Sequence, residues 1–346
     1  MELAHLIERA YQQYDCYDNK KPWLPEATKK LVGSTAFVTN VQDLDQNNFQ
    51  GKVEYEILDI LKFTGFWWTQ PETVPFGFIA KRLPNPPQGT NEEIFVVFRG
   101  TREWQEWYRN FDFAQDIFLG KENLGQVSKG FHVIYTRAIQ HGELLRYEFD
   151  TTGSIKYKDD RDLYSQLLEV VRRPTQGNER AIADVVYQTL TQHCKPGQCK
   201  IFVTGHSLGG AIATLAARHI KEIGYDLDLY TFASPRVGAP DFAKGFQGIN
   251  CYRIANSEDV VIVVPGGTER IIGDEMLQDE GVLGGSMTKA RRKTTTFLDK
   301  LVDLLPTPLF EQVYQHIGTP LYFTNQTGAV SSNHNMFLTY RSAIPN

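Results

Sequence analysis

Five residues in the middle of the chain, Gly205-His206-Ser207-Leu208-Gly209, have the types and spacing of a nucleophilic serine. A serine hydroxyl is a weak nucleophile at neutral pH. It becomes effective beside a general base, an acid that orients the base, and N–H donors for the oxyanion its attack creates. None of this needs a metal or an organic cofactor. A sharp strand-to-helix turn exposes the serine Oγ to all three groups, and small residues two positions to either side relieve the crowding of that turn. Gly205 and Gly209 stand there. At average composition the pattern arises by chance about once in ten chains of this length, so the flanks decide. Ile201–Thr204 reads as a short strand and Ser207–Ile220 as a helix rich in small residues, which is the context the turn demands.

The N–H of Leu208, next after the serine, supplies one oxyanion donor; the second comes from the loop after an earlier strand. Ile94–Phe98 is such a strand and runs into Arg99-Gly100-Thr101, where Thr101 offers both an N–H and a hydroxyl. A turn of this kind belongs to the α/β-hydrolase fold, in which acid and histidine follow the serine in that order. His5, His132, His141, His193, His206 and His219 are thereby eliminated, leaving His316 and His334. His206 adjoins Ser207, but on a tight turn its ring points elsewhere and packs beside the elbow. The strand Cys251–Ala255 leads into Asn256-Ser257-Glu258-Asp259, so Glu258 and Asp259 are the candidate acids. Asp226, Asp228 and Asp241 read as helix-end, strand-edge and capping residues. On the residues alone, two acids and two bases stay open.

The elements that must position these groups follow from periodicity. Leu3, Leu6, Ile7, Ala10, Tyr11 and Tyr14 recur at helical spacing, so the chain opens with an amphipathic helix, and residues 16–50 read as a polar covering segment. Lys52–Phe63, Phe76–Arg82, Leu227–Ala233 and Val260–Val264 are strand-like, while Phe131–Leu145 and Ala181–Leu190 have helical spacing. Strands alternating with helices give an α/β protein: a mostly parallel central sheet covered by helices on both faces. The simplest organisation is one domain over 1–346 with insertions at about 141–180 and 266–312.

The chain resembles the class 3, fungal-type lipases in Val97-Phe-Arg-Gly-Thr101, Gly130-Phe131, Val203-Thr-Gly-His-Ser-Leu-Gly-Gly210, Phe232-Ala-Ser-Pro-Arg-Val-Gly238, Asn256-Ser-Glu-Asp259 with Pro265, and His316-Ile-Gly-Thr-Pro320, in the family's order. The resemblance implies an α/β-hydrolase fold and hydrolysis of lipid acyl esters, acylglycerols foremost. Polar-lipid acyl hydrolysis, soluble-ester hydrolysis and a catalytically silent lipid- or protein-binding role are the alternatives. It further implies Ser207, Asp259 and His334 as the triad, Thr101 and Leu208 as the oxyanion hole, and a packing role for His316. Lipases of this type are similar in carrying a short helix after the oxyanion strand. Here Trp104, Trp107, Tyr108 and Phe111 fall on one helical face of Glu103–Phe111, which is expected to form a lid contacting substrate or a lipid surface.

Bulk properties set the remaining expectations. A net charge of -5 gives no general attraction for nucleic acid. The expected partners are a lipid ester substrate and, peripherally, a membrane or lipid-droplet surface; oligomeric state is not encoded legibly. Lys289, Arg291, Arg292 and Lys293 precede an amphipathic stretch and read as a solvated loop beside a covering helix. No signal-peptide pattern opens the sequence, so the expected location is cytoplasmic or peripheral to a membrane, a removed leader apart. With four cysteines and no export signal in view, a disulfide between Cys194 and Cys199 is disfavoured.

Overall fold

The computed structural model describes residues 1–34, 51–67, 70–83, 92–101, 113–140, 143–150, 154–159, 179–265, 314–327 and 329–344. The chain opens with helix α1 (Glu2–Asp18), then forms strands β1 (Lys30–Ser34), β2 (Lys52–Trp67), β3 (Gln70–Arg82) and β4 (Glu92–Phe98). A two-stranded ribbon, β5 (Gln115–Ile117) and β6 (Gln126–Ser128), precedes helix α2 (Lys129–Thr136). Strands β7 (Arg137–Gln140), β8 (Glu143–Phe149) and β9 (Ile155–Asp159) make a small separate sheet, followed by helix α3 (Ile182–His193). Strand β10 (Cys199–His206), helix α4 (Leu208–Glu222), β11 (Leu227–Phe232), β12 (Asn250–Asn256) and β13 (Thr319–Phe323) complete the order.

The main sheet runs β1-β2-β3-β4-β10-β11-β12-β13. The first four strands pair antiparallel. From β4 onward every pairing is parallel, with Val203 of β10 opposite both Val96 and Leu229. Parallel strands need crossovers, and a crossover helix buries one sheet face. Strand β4 shows the result: Ile94, Val96 and Phe98 enter one apolar cluster, Phe95 and Val97 the other. The first cluster takes Phe131 and Tyr135 of α2, Val186 of α3 and Leu215 of α4; the second takes Leu6, Ala10 and Tyr11 of α1. Helices therefore cover both faces of a mostly parallel sheet, as expected of an α/β-hydrolase fold.

Three local expectations are corrected. The helix read over Phe131–Leu145 stops at Thr136, and Arg137–Gln140 then pairs antiparallel with Glu143–Arg146. Residues 137–146 hold Ile139, Leu144 and Leu145 at a spacing that fits either element, and the two residues between Gln140 and Glu143 are the length of a tight hairpin connection. The stretch read as a strand over Val260–Val264 is a 3-10 helix, Val260–Val263, with Asp259 as its N-cap. Cys194 and Cys199, disfavoured as a pair, are joined in a disulfide. Cys194 caps the C-terminus of α3 and Cys199 opens β10, which sets their Cα atoms 6.2 Å apart. The covering segment 16–50 also contributes β1 to the sheet edge. Among the described residues no helix is long and apolar enough to cross a membrane.

Candidate active site

Strand β10 ends at His206 and α4 begins at Leu208, leaving Ser207 alone on the turn with φ 58° and ψ -127°. A side-chain-bearing residue holds such a conformation only where the surroundings over-determine it. Two contacts do so. The Ser207 N–H donates to the Phe232 carbonyl at 2.8 Å, tying the turn to the end of β11. Strand and helix also meet without side chains: a Cβ on Gly205 would stand 2.2 Å from the Gly209 oxygen, and one on Gly209 would stand 2.3 Å from the Arg99 oxygen.

Three buried side chains converge there. His334 Nε2 lies 2.7 Å from Ser207 Oγ, and His334 Nδ1 lies 2.7 Å from Asp259 Oδ2. A carboxylate only accepts, so Nδ1 carries the proton and Nε2 turns its lone pair to the serine hydroxyl. Asp259, not Glu258, reaches the imidazole. The Glu258 backbone instead receives the Asn333 amide at its carbonyl and donates its N–H to Asn256 Oδ1. His316 lies away from Ser207 in bonding terms: its Nε2–H donates to the Ile262 carbonyl at 2.8 Å. Burial, with Arg253 and Arg236 nearby, holds His316 well below the usual histidine range, so it stays a neutral brace beneath the 3-10 helix that follows the acid.

Asp259 is held by groups that motif reading does not reveal. Asp259 Oδ1 accepts the Val261 N–H at 2.9 Å, and Oδ2 accepts the Tyr340 hydroxyl at 2.6 Å. Tyr340 ends the π-helix Met336–Tyr340, just beyond the histidine, and its hydroxyl accepts the Asn256 N–H at 3.1 Å. Burial and the neighbouring Asp259 push the Tyr340 phenol well above its usual range, so it remains a donor. The Asn256 amide donates to the Asn325 and Asn333 carbonyls at 2.9 and 3.0 Å, stitching the end of β12 to the segment bearing His334. The only sequence signal for Tyr340 is a buried-type aromatic near the histidine, which ordinary packing explains equally well.

The two expected oxyanion donors, Leu208 and Thr101, are both among the described residues. Leu208 opens α4, so its N–H has no acceptor within the helix and sits at the helix's positive end. The Thr101 hydroxyl is buried with no hydrogen-bond partner among the described residues. A buried donor left unpaired costs about 1–3 kcal/mol, a cost that an anionic oxygen bound there would offset. Gly100 seats this segment against Ser207, since a Cβ there would stand 2.8 Å from Ser207 Cβ. The expected lid residues Trp104, Trp107 and Tyr108 lie outside the described residues, as do the basic run 289–293 and the insertion 266–312; the 141–180 insertion is described only in β8, β9 and its flanks.

Such an arrangement can deprotonate a serine, hold the resulting imidazolium against a carboxylate and receive an oxyanion. The family model for lipase (class 3) matches residues 95–269, which include Thr101, Ser207 and Asp259. Phospholipase A1-IIgamma of Arabidopsis thaliana is 28% identical over 210 residues, covering 54% of this chain and 43% of the relative. Secreted mono- and diacylglycerol lipase 1 of Fusarium solani is 47% identical over 68 residues, covering 19% of this chain and 20% of the relative. The chain thus spans less than half the length of the curated relatives it matches. Among solved structures, the mono- and diacylglycerol lipase from Aspergillus oryzae aligns at a TM-score of 0.41 and 24% identity, covering 76% of this chain and 72% of that one.

Proposed function

Because the chain belongs to the class 3 lipase family, we propose that it hydrolyses acyl esters of lipids, acylglycerols foremost, through a Ser207-His334-Asp259 triad and an acyl-enzyme intermediate. The observation that carries this reading is the unbroken run from Asp259 Oδ2 through the imidazole to Ser207 Oγ, 2.7 Å at each step. Ser207 Oγ attacks the ester carbonyl while Nε2 takes its proton. Asp259 stabilises the imidazolium and holds the ring's orientation; Tyr340 and Val261 keep the carboxylate in place. The tetrahedral oxyanion is received by the Leu208 N–H and by Thr101. Collapse expels the alcohol, protonated from Nε2, and leaves Ser207 acylated. Water, deprotonated by the same nitrogen, then releases the fatty acid and restores the serine.

A second reading, a phospholipid acyl hydrolase, is favoured by the wider match to a relative named phospholipase A1. Contact with a lipid surface through Trp104, Trp107 and Tyr108 is part of the proposal and rests on their spacing alone. The test is a hydrolysis panel of triacylglycerol, phospholipid, galactolipid and p-nitrophenyl esters with wild type and Ser207→Ala. Loss of one triad member should lower kcat on the order of 10^4-fold. A folded Ser207→Ala protein retaining a tenth of wild-type activity overturns the assignment.

A further inference from the structure

We propose that Tyr11, on the N-terminal helix, and His206 are positioning residues that lock the oxyanion segment to the backbone of the general base; this rests on the esterase reading above. The carrier is a buried hydrogen-bond chain. Gly100 N lies 3.0 Å from Tyr11 Oη, Tyr11 Oη lies 2.8 Å from His206 Nδ1, and His206 Nε2 lies 2.9 Å from the His334 carbonyl oxygen. Its two ends fix its direction. A backbone N–H only donates and a carbonyl only accepts. His206 Nε2 therefore carries the proton and donates to His334, leaving Nδ1 as a lone pair. Tyr11 accepts from Gly100 and donates to that lone pair. For a neutral imidazole, no other assignment of protons satisfies all three bonds.

The chain joins three pieces of the proposed machinery that the fold draws from distant places. Gly100 precedes Thr101, His206 precedes Ser207, and the carbonyl belongs to the base itself. Tyr11 comes from 195 residues before His206. Packing closes around the same atoms: a Cβ on Gly100 would stand 2.6 Å from Tyr11 Oη and 2.7 Å from the His206 oxygen, so only a glycine fits where the segments meet. The His206 and His334 ring centroids lie 4.9 Å apart, and Tyr11 meets His206 edge-on at 5.9 Å. Burial first, and the neighbouring His334 second, hold His206 well below the usual histidine range, which keeps the ring neutral.

The plainer account is that Tyr11 and His206 merely satisfy one another inside a core. The two accounts differ in what they predict for kinetics. A packing role lowers stability, and activity follows stability. A positioning role lowers transition-state stabilisation while ground-state ester binding is unchanged, because oxyanion and imidazolium exist only along the reaction.

The experiment uses the full chain and a soluble p-nitrophenyl ester, with Ser207→Ala first establishing that wild-type turnover belongs to Ser207. Absence of that turnover, or its survival in folded Ser207→Ala, defeats the esterase reading and with it the relay. Given Ser207-dependent turnover, Tyr11→Phe, which deletes one oxygen, should lower kcat about 10- to 100-fold with KM changed less than about twofold. His206→Gln should give a similar loss. The double variant should be within about threefold of the worse single one, since a chain is broken only once. Leu6→Ala, in the same helix but outside the relay, sets the stability baseline and should keep kcat within about twofold despite a comparable fall in Tm. If Tyr11→Phe does not fold, the kcat and KM of His206→Gln decide alone. Wild-type kcat in the substituted protein, losses that add in full, or a kcat loss that Leu6→Ala reproduces at equal Tm each overturn the proposal.

Discussion

His219 offers a sharp test of how burial governs this fold's response to acid. It lies on α4, fully buried, with Nδ1 2.8 Å from the Tyr135 hydroxyl and Nε2 3.3 Å from that of Tyr147. Phe149 packs on the ring at 5.4 Å between centroids. Burial first, then the charge of Lys121, push its pKa from 6.5 down to about 3. Below about pH 6.5 the unfolded chain binds a proton here that the native protein refuses, so native stability is full above that pH and falls as pH drops toward about 3. Each pH unit in that window costs about 1.4 kcal/mol, so between about pH 8 and pH 5 this one imidazole removes about 2 kcal/mol. The perturbation is His219→Gln, which keeps an amide to meet one tyrosine and cannot titrate. Whatever the substitution costs outright, the readout is the change in unfolding free energy from about pH 8 to pH 5, from urea curves of both proteins. His206 and His316 are also depressed, but they contribute equally to both and cancel. Wild type should lose about 2 kcal/mol more than the variant. Equal losses would refute the reasoning, showing that acid reaches His219 without unfolding the core around it.

Two further outcomes separate the residues around the triad. His334→Ala should reduce kcat on p-nitrophenyl esters as severely as Ser207→Ala, because the two act as a unit. His316→Ala, which frees the Ile262 carbonyl, should chiefly lower Tm; kinetics together with circular dichroism melts distinguish these, and a reversed pattern would move the base role. Tyr340→Phe removes a hydroxyl from a charged acceptor, a contact worth about 1.5–3 kcal/mol. It should lower kcat about tenfold with KM little changed. Unaltered kcat would mean that Val261 and His334 suffice to hold Asp259.

Ser207 is legible as the candidate nucleophile because everything that singles it out is local. A strand, a turn glycine either side of Ser207 and a helix of small residues lie within one short stretch, and each constrains the same backbone. The choice between candidate acids and bases is not legible from residue types. Glu258 and Asp259 are neighbours of equal chemistry, and what separates them is a partner 75 residues away. On the residues alone two bases stay open; the family resemblance implies His334, and the structure brings that ring to Ser207. Val260–Val264 reads as a strand because β-branched residues fit a pleated sheet. What wins is a tertiary demand, since the short helix lets Asp259 cap its own following turn through the Val261 N–H while His316 holds the Ile262 carbonyl.

Tyr11 shows where such reading stops. Its place in the pattern Leu3, Leu6, Ile7, Ala10, Tyr11 marks it as one more apolar position of an amphipathic helix, and its ring does pack in that core. Nothing in the pattern tells whether its hydroxyl is idle. That depends on Gly100 and His206, which themselves look like a turn glycine and a motif filler. Each of the three has a bland local explanation, and only their meeting at 2.8 and 3.0 Å gives the hydroxyl a donor and an acceptor at once. Chemistry confined to one turn is written in neighbouring residues. Positioning is different: a serine, its base and its oxyanion donors arrive on separate elements, so the groups that hold them must also come from elsewhere in the chain. Here they come from helix α1 and from the π-helix Met336–Tyr340, whose side chains no spacing rule relates.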